Sequence, residues 1–314
     1  MLPPEAGTLA VLAAFCEATV RISTPLALAA LGETVTERSG VINIGIEGSM
    51  LAGALGAALG ALWLGSAWGG ALAGVVAGVA LTAVFALVAV GWGGDQIVTG
   101  TGLTLGALGL TGAVYRAAFG PTGAALSLPT FPPISVPGLA SLPVLGRALF
   151  AQPAPTWLLY VAAPAVWLVL TRTQLGLALR AAGEAPEAAV AAGLRVRSLR
   201  MGATLFGGAM AGLAGATLVL AQAGTFAEGM TAGRGFIAIA IVVLGRWHPL
   251  GAVGAALVFG AASALQYTFQ AVGVNVPYQF FLMAPYVVSL LALAGVGGRA
   301  RAPEALGRPW EAPL

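Results

Sequence analysis

The sequence predicts an all-α integral membrane protein, and three observations support that fold class. The chain has 314 residues, of which 59 % are hydrophobic and only 8 % are charged. A soluble domain carries about 25 % charged residues, so this chain has too few to cover a water-facing surface. The mean hydropathy is +0.93, and the 46 glycines are spread through apolar runs, as in closely packed membrane helices. This composition excludes a soluble enzyme, a disordered regulator and a nucleic-acid-binding domain.

Long stretches without charge locate the membrane crossings. A crossing takes about 20 residues. Each of the long intervals without a charged residue has room for one or two crossings. We expect about nine helices, within a range of eight to ten, in one transmembrane domain over residues 1–298. They cover residues 9–31, 41–63, 67–91, 97–115, 156–171, 201–222, 230–245, 250–269 and 277–296. The seventh is short for a full span, which predicts a broken or re-entrant helix.

The arginines predict the orientation of the chain. All 14 basic residues are arginine, and with the N-terminus outside the cell most of them face the cytoplasm, as the positive-inside rule requires. An N-terminus inside would need one more crossing in the first half. The proline-rich segment 116–155 is then an extended extracytoplasmic loop, the polar segment 172–200 faces the cytoplasm, and residues 299–314 form a cytoplasmic tail. The first apolar run lacks a basic region before it, so we interpret it as a retained helix.

The residue inventory argues against an enzyme. Cys16 is the only cysteine and His248 the only histidine, so neither a Cys/His metal cluster nor a Ser-His-Asp site is plausible. The chain has no lysine and therefore no phosphate-binding loop of the Gly-Lys-Ser/Thr type. We expect this chain to bind no cofactor or metal and to leave any ATP hydrolysis to another polypeptide.

Polar residues inside the apolar runs are candidates for a translocation pathway. Asn43 and Glu47 are four residues apart and would share one helix face; a carboxylate within a span costs several kcal/mol unless it is paired or hydrated. The alternative is an interfacial helix start, with Glu47 paired to an arginine. Glu17 and Arg21 have the spacing of an ion pair within the first helix.

Other polar residues complete the predicted pathway. Arg234 lies between two glycines, which suggests a tight turn into a broken helix and either a pathway or a capping role for its side chain. The further candidates for the pathway are Gln96, Gln222 and Gly235. The alternative role of Gln96 is to start a helix with Asp95, and that of Gln222 is an interhelical hydrogen bond. Five tryptophans are predicted at membrane interfaces: Trp63, Trp68, Trp92, Trp157 and Trp247.

The segment 172–200 predicts a helical hairpin. Its first arm is Leu175–Ala182, the break lies at Gly183 and Pro186, and the second arm, Glu187–Ala192, ends at Gly193. Such a hairpin would present a small rigid knob to the cytoplasm, although an amphipathic connector has the same pattern. A faint internal similarity relates Arg38-Ser-Gly-Val-Ile-Asn-Ile to Arg234-Gly-Phe-Ile-Ala-Ile, which suggests a possible inverted repeat.

At these motifs the sequence resembles the permease subunits of ABC importers, in the branch with ribose-type and branched-chain-amino-acid-type permeases. It is most similar to nucleoside importers served by basic-membrane-protein-type lipoproteins. Three stretches carry the resemblance: 32–48 with Asn-Ile-Gly-Ile-Glu-Gly, 179–193 with Glu-Ala-Ala before Gly193, and 233–247. The chain departs from the pattern at Ala185, where relatives often have Asn or Asp, and at Ala203-Thr204-Leu205-Phe206, where the broader motif has Ile-x-Leu-Pro.

The resemblance implies an assembly in the bacterial cytoplasmic membrane. This multi-pass chain would pair with a second permease subunit, as a homodimer or heterodimer, with ABC ATPase subunits that bind ATP and Mg²⁺, and with an extracytoplasmic substrate-binding lipoprotein. The coupling residues it implies are Gly183, Glu184, Pro186, Glu187, Ala188, Ala189 and Gly193. The implied substrates are nucleosides. Simple sugars or branched-chain amino acids are the alternative substrates. A different class of protein is also possible from the residues: an ion-coupled secondary transporter with Glu17 or Glu47 as its ion site.

Overall fold

Helices form almost all of the regular structure. A computed structural model describes residues 4–120, 127–272, 283, 287, 290 and 301–309. The helices are α1 (Pro4–Arg38), α2 (Ile46–Leu64), α3 (Ala67–Ala86), α4 (Gln96–Phe119), α5 (Leu145–Phe150), α6 (Ala154–Arg172), α7 (Gln174–Glu184), α8 (Pro186–Ala191), α9 (Val196–Thr217), α10 (Arg234–Leu244) and α11 (Pro249–Val272), and the strands are β1 (Pro133–Ser135) and β2 (Ala151–Pro153). Helices α3 and α9 end in wider π-helical turns, Leu87–Gly91 and Leu218–Ala223.

Seven of the described helices are long and apolar enough to cross a membrane: α1, α2, α3, α4, α6, α9 and α11. They confirm the predicted fold class of a multi-pass helical membrane protein. Helix α10 has 11 residues, or about 16 Å at 1.5 Å per residue, which is half of a hydrocarbon core about 30 Å thick. It is as short as the sequence predicts. Of the expected crossing 277–296, the structure describes only positions 283, 287 and 290.

The core lies where α9 meets α1, α2 and α3. Alanine and glycine fill the buried face of α2, and α9 is buried along most of its length. A second apolar cluster joins Leu26–Leu31 of α1 to α10 and α11 and includes the buried ring of Phe259. Small side chains let these backbones approach closely, which is how helices gain packing energy in a bilayer that offers no hydrophobic force between them.

The charged groups gather at two opposite ends of the bundle. Arg38 Nη1 lies 3.8 Å from Glu184 at one end, and Arg116 Nη1 lies 2.7 Å from Glu228 at the other. In the predicted orientation, which stays a prediction, the Arg38 end is cytoplasmic and the other end is the outer end. The predicted pairing of Glu17 with Arg21 is wrong: Glu17 Oε2 lies 3.7 Å from Nε of Arg147, because α5 packs against the outer part of α1.

The proline-rich outer segment is more folded than the extended loop predicted for it. In its described part, residues 127–155, β1 and β2 pair antiparallel with Ile134 opposite Gln152, and α5 lies between them. Backbone hydrogen bonds from Leu128 to the Gly224 carbonyl (3.1 Å) and from Phe131 to the Leu220 carbonyl (2.9 Å) fasten the segment to the end of α9. The segment therefore covers the outer end of the core.

Candidate coupling surface and intramembrane polar centre

The predicted cytoplasmic hairpin is formed by α7 and α8, which we call the coupling hairpin. Thr173 Oγ1 accepts a hydrogen bond from the Gly176 amide at 3.2 Å and caps α7. Pro186 occupies the first turn of α8, where its missing N–H has no helical partner to lose. Gly193 has a φ of +83° and lets the chain turn into α9. The hairpin bounds therefore match the prediction closely.

The predicted coupling residues divide between two faces of the hairpin. Glu184, Glu187, Ala188 and Gly193 are exposed, whereas Gly183 is buried. Ala189 is also buried and packs in a cluster with Ala182 and Val196, which holds the hairpin against the start of α9. Pro186 is half-buried. The exposed set offers a surface to a partner, and the buried set fixes that surface to the transmembrane helices.

Arg38 connects the hairpin to the interior of the bundle. Its guanidinium faces the half-exposed carboxylate of Glu184, and its Nε donates to the Trp247 carbonyl at 2.8 Å. Trp247 Nε1 in turn donates to Glu37 Oε2 at 2.5 Å. Arg38 therefore contacts both the hairpin and the corner between α10 and α11.

Trp247 corrects one of the sequence predictions. It was expected at a membrane interface, but its side chain is buried because the indole N–H binds the buried carboxylate of Glu37. Its backbone has a φ of +53°, in the left-handed region that non-glycine residues rarely adopt. Three hydrogen bonds of Trp247 hold this strained corner in place, since its own amide also donates to the Val242 carbonyl at 3.0 Å. Such strain concentrates at functional sites.

Four buried polar residues form what we call the polar centre: Glu33, Glu37, Asn43 and Glu47, none of them more than 6 % exposed. The Asn43 amide donates to Glu33 Oε1 at 2.9 Å. Asn43 precedes α2, which begins at Ile46, so the prediction that Asn43 and Glu47 share one helix face is wrong. The chain turns at Gly40, whose φ is +94°, and runs irregularly back into the bundle before the helix begins.

Glu47 binds the start of the half-length helix α10. Its Oε1 accepts from the Gly233 amide at 2.8 Å and its Oε2 accepts from the Gly235 amide at 2.6 Å. A carboxylate is favourable there because the helix N-terminus carries a partial positive charge and unsatisfied N–H groups. The partner of Glu47 is thus a helix terminus, and neither an arginine nor open solvent.

Gly235 is required by this contact. A Cβ at position 235 would lie 2.5 Å from the Glu47 Cα and 2.8 Å from its Oε2, closer than any side chain can approach. The glycine beside Arg234 therefore lets the backbones of α2 and α10 meet at the carboxylate.

The other predicted pathway residues have backbone partners. Arg234 Nη1 donates to the Met230 and Thr231 carbonyls at 2.8 and 3.1 Å, which is the capping alternative. Gln96 Oε1 accepts from the Ile42 amide at 2.8 Å, next to the N-cap of α4 at Asp95. Gln222 lies apart from the polar centre at the outer end of α9, where it donates to the Arg21 carbonyl at 2.6 Å.

Asn43 differs from these residues, because both polar atoms of its buried side chain have no hydrogen-bond partner among the described residues. A buried polar group without a partner carries a desolvation cost and calls for a functional explanation. A role for Asn43, Glu47, Gln96, Gln222, Arg234 and Gly235 in translocation remains a prediction.

Glu33 and Glu37 were missed by the sequence reasoning. The first helix was expected to end at residue 31, which left both acids in a loop, whereas α1 continues to Arg38. The signal was available: the two acids are four residues apart, directly after an apolar run, so they extend the same helix with one polar face.

The family of this chain can be stated from the comparison with known proteins. Residues 16–293 match the family described as branched-chain amino acid transport system / permease component. No solved structure is significantly similar to the chain.

Relatives match over most of their length. The guanosine ABC transporter permease protein NupQ of Bacillus subtilis is 37 % identical over 96 % of this chain and 97 % of its own. The nucleoside ABC transporter permease protein NupC of Lactococcus lactis is 35 % identical over 91 % of this chain and 92 % of its own. TsgC13 of Haloferax volcanii, provisionally named as a glucose ABC transporter permease protein, is 38 % identical over 88 % and 87 %. This multi-pass chain is a membrane permease component, and it belongs to the branched-chain amino acid transport system / permease component family.

Proposed function

We propose that this chain forms part of the translocation pathway of an ABC importer for nucleosides. The observation that carries the proposal is the continuous set of contacts from the exposed coupling hairpin through Arg38, Trp247 and Glu37 into the polar centre. A transporter driven by a separate ATPase needs a connection of this kind between its cytoplasmic surface and its membrane interior.

The nucleoside assignment is supported by two relatives. NupQ and NupC are named for guanosine and for nucleosides, and each matches more than nine tenths of this chain. TsgC13 favours a sugar as the second candidate, since its identity to this chain is similar over a slightly smaller share. Among the described residues the side-chain amide of Asn43 has no hydrogen-bond partner, and an amide that can both donate and accept suits a neutral polar solute.

The assembly that follows contains this chain and three further components. ATP and Mg²⁺ bind an ABC ATPase subunit that contacts the coupling hairpin. A second permease subunit, identical or different, completes the pathway. A substrate-binding lipoprotein delivers the solute at the outer face, where β1, β2 and α5 cover the end of the bundle.

Nucleotide binding provides the driving force in this mechanism. Closure of the ATPase subunits moves α7 and α8, and the Arg38 contacts pass that movement to the corner at Trp247. Helix α10 ends at this corner and begins at Glu47, so its tilt changes the polar centre. Hydrolysis then resets the hairpin.

Uptake of radiolabelled guanosine tests the proposal. The chain is reconstituted in vesicles with its neighbouring permease, ATPase and binding protein, with and without ATP. We expect ATP-dependent uptake that other nucleosides compete but ribose, glucose and leucine do not. ATP-dependent uptake of glucose or leucine alone would overturn the substrate assignment. Uptake that ignores ATP and follows a proton or sodium gradient would overturn the ABC mechanism.

A further inference from the structure

We propose that the C-terminal segment 301–309 and the coupling hairpin form one docking surface, and that the cleft between them receives a cationic side chain of the ATPase subunit. The identity of the partner rests on the proposed function. The sequence predicts a cytoplasmic tail here, and assigns the contact with the ATPase to the hairpin alone.

Main-chain hydrogen bonds fasten this segment to the bundle. The Ala305 amide donates to the Gly183 carbonyl at 2.9 Å, and the Gly307 amide donates to the Gly40 carbonyl at 3.1 Å. Pro303 and Ala305 are buried, whereas Glu304 and Arg308 are exposed. The segment therefore lies with one side against the hairpin and the other side towards the cytoplasm.

Two buried side chains of the bundle also bind the main chain of this segment. Arg200, only 2 % exposed, donates to the Ala182 carbonyl and to the Arg308 carbonyl, each at 3.2 Å. Gln96 donates to the Arg308 carbonyl at 3.4 Å. One arginine thus binds both the hairpin and the C-terminal segment.

The cleft between them has a volume of about 400 Å³. Its walls include Glu184, Pro186 and Glu187 of the hairpin, and Glu304 and Arg308 of the C-terminal segment. A cleft of this size is large enough to admit a long side chain.

The charges around the cleft favour a cation. Glu184, Glu187 and Glu304 are exposed acids, and Arg308 is the exposed base among these lining residues; the guanidinium of Arg200 is buried against carbonyl oxygens. The contact of Glu184 with Arg38 is 3.8 Å long and half-exposed, so it neutralises Glu184 weakly. An arginine or lysine of the ATPase subunit complements this opening.

Binding of the ATPase subunit tests the inference directly. The full-length permease complex is placed in nanodiscs, and the affinity of the purified ATPase subunit is measured for the wild type and for Glu304→Arg. Glu304 is exposed, and the segment is anchored through backbone atoms, so the variant keeps its fold. We expect about a tenfold weaker affinity, since reversing the charge sets like charges against each other, and a smaller difference at high salt. The control is Ser141→Arg, an exposed position in the segment between β1 and α5, which should bind like the wild type.

The outcomes separate this inference from the proposed function. If the wild-type complex does not bind the ATPase subunit, the proposed function is overturned. If the wild type and Glu304→Arg bind equally well, the inference alone is overturned. A second measurement places a photo-crosslinking residue at position 304: capture of the ATPase subunit supports the inference, and its capture from position 192 but not from position 304 contradicts it.

Discussion

At the residue scale, Glu47 is held by backbone N–H groups, and this determines how its substitution should behave. Replacement by alanine leaves the Gly233 and Gly235 amides without acceptors. An unsatisfied buried donor costs about 1–3 kcal/mol. Glutamine retains the length of the side chain and one acceptor oxygen, so it should restore part of the contact.

We therefore expect Glu47→Ala to reduce both nucleoside uptake and thermal stability, and Glu47→Gln to give intermediate values. Uptake in reconstituted vesicles and the Tm in nanodiscs measure the two effects. Wild-type values of both quantities in Glu47→Ala would contradict the assignment of Glu47 as the residue that holds α10.

Gly235 gives a second prediction, because the close contact between α2 and α10 leaves no room for a side chain at this position. The methyl group of Gly235→Ala would overlap the backbone and carboxylate of Glu47, and such overpacking typically costs about 1–3 kcal/mol. We expect a lower Tm and a loss of uptake with normal membrane insertion. Gly254→Ala is the matched control, because a Cβ there meets nothing within 4 Å. Equal behaviour of the two variants would rule out the close contact between α2 and α10.

At the scale of elements, the coupling hairpin is the part whose role can be separated from folding. Glu187 and Ala188 are exposed and have no part in the buried contacts that hold the hairpin on α9. The double variant Glu187→Arg, Ala188→Trp changes the charge and the shape of the exposed surface.

We expect this double variant to insert into the membrane normally and to lose ATPase stimulation by the loaded binding protein. The measurements are its amount in the membrane and the ATPase rate of the reconstituted complex with and without binding protein. Unchanged transport would remove the coupling assignment from the hairpin.

The helices and the hairpin could be predicted because their signals are local. Charge-free runs mark the spans, and Gly183, Pro186 and Gly193 mark the breaks of the hairpin. The polar centre could be predicted only in part, since its bonds join distant positions: Glu47 and Gly235 are 188 residues apart, and Glu37 and Trp247 are 210 apart. The irregular start before Ile46 was missed for the same reason, because the Asn43 amide is bound by Glu33 and not by a neighbouring turn.

At the scale of the whole molecule, the orientation in the membrane can be tested with single cysteines. Cys16 is the only cysteine, so Cys16→Ser gives a cysteine-free background. Ala192 of the hairpin region and Ser141 of the outer segment are both exposed and lie at opposite ends of the bundle.

We expect a membrane-impermeant maleimide to label Ser141→Cys in intact cells, and Ala192→Cys only in inside-out vesicles. The ratio of labelling in the two preparations measures the orientation. The reverse pattern would place the N-terminus inside and would contradict the predicted orientation.

Composition alone predicts the class of this molecule, whereas the position of its C-terminal segment needs the structure. That segment is held by backbone groups of Ala305 and Gly307, which every sequence possesses. Its acceptors, at Gly183 and Gly40, come from two separate parts of the chain. The side chains of residues 301–309 form no pattern that predicts where the segment binds.

The half-length helix α10 also has a consequence for biosynthesis. A helix of 11 residues is too short to leave the translocon as an independent span, and its first amides would enter the lipid without acceptors. Helix α10 must therefore enter together with α11, as a pair joined by the corner at Trp247. Glu47 leaves the ribosome long before Gly235, so the acceptor is already in the membrane when the donors arrive. The order of translation thus places the acceptor in the membrane before its donors are made.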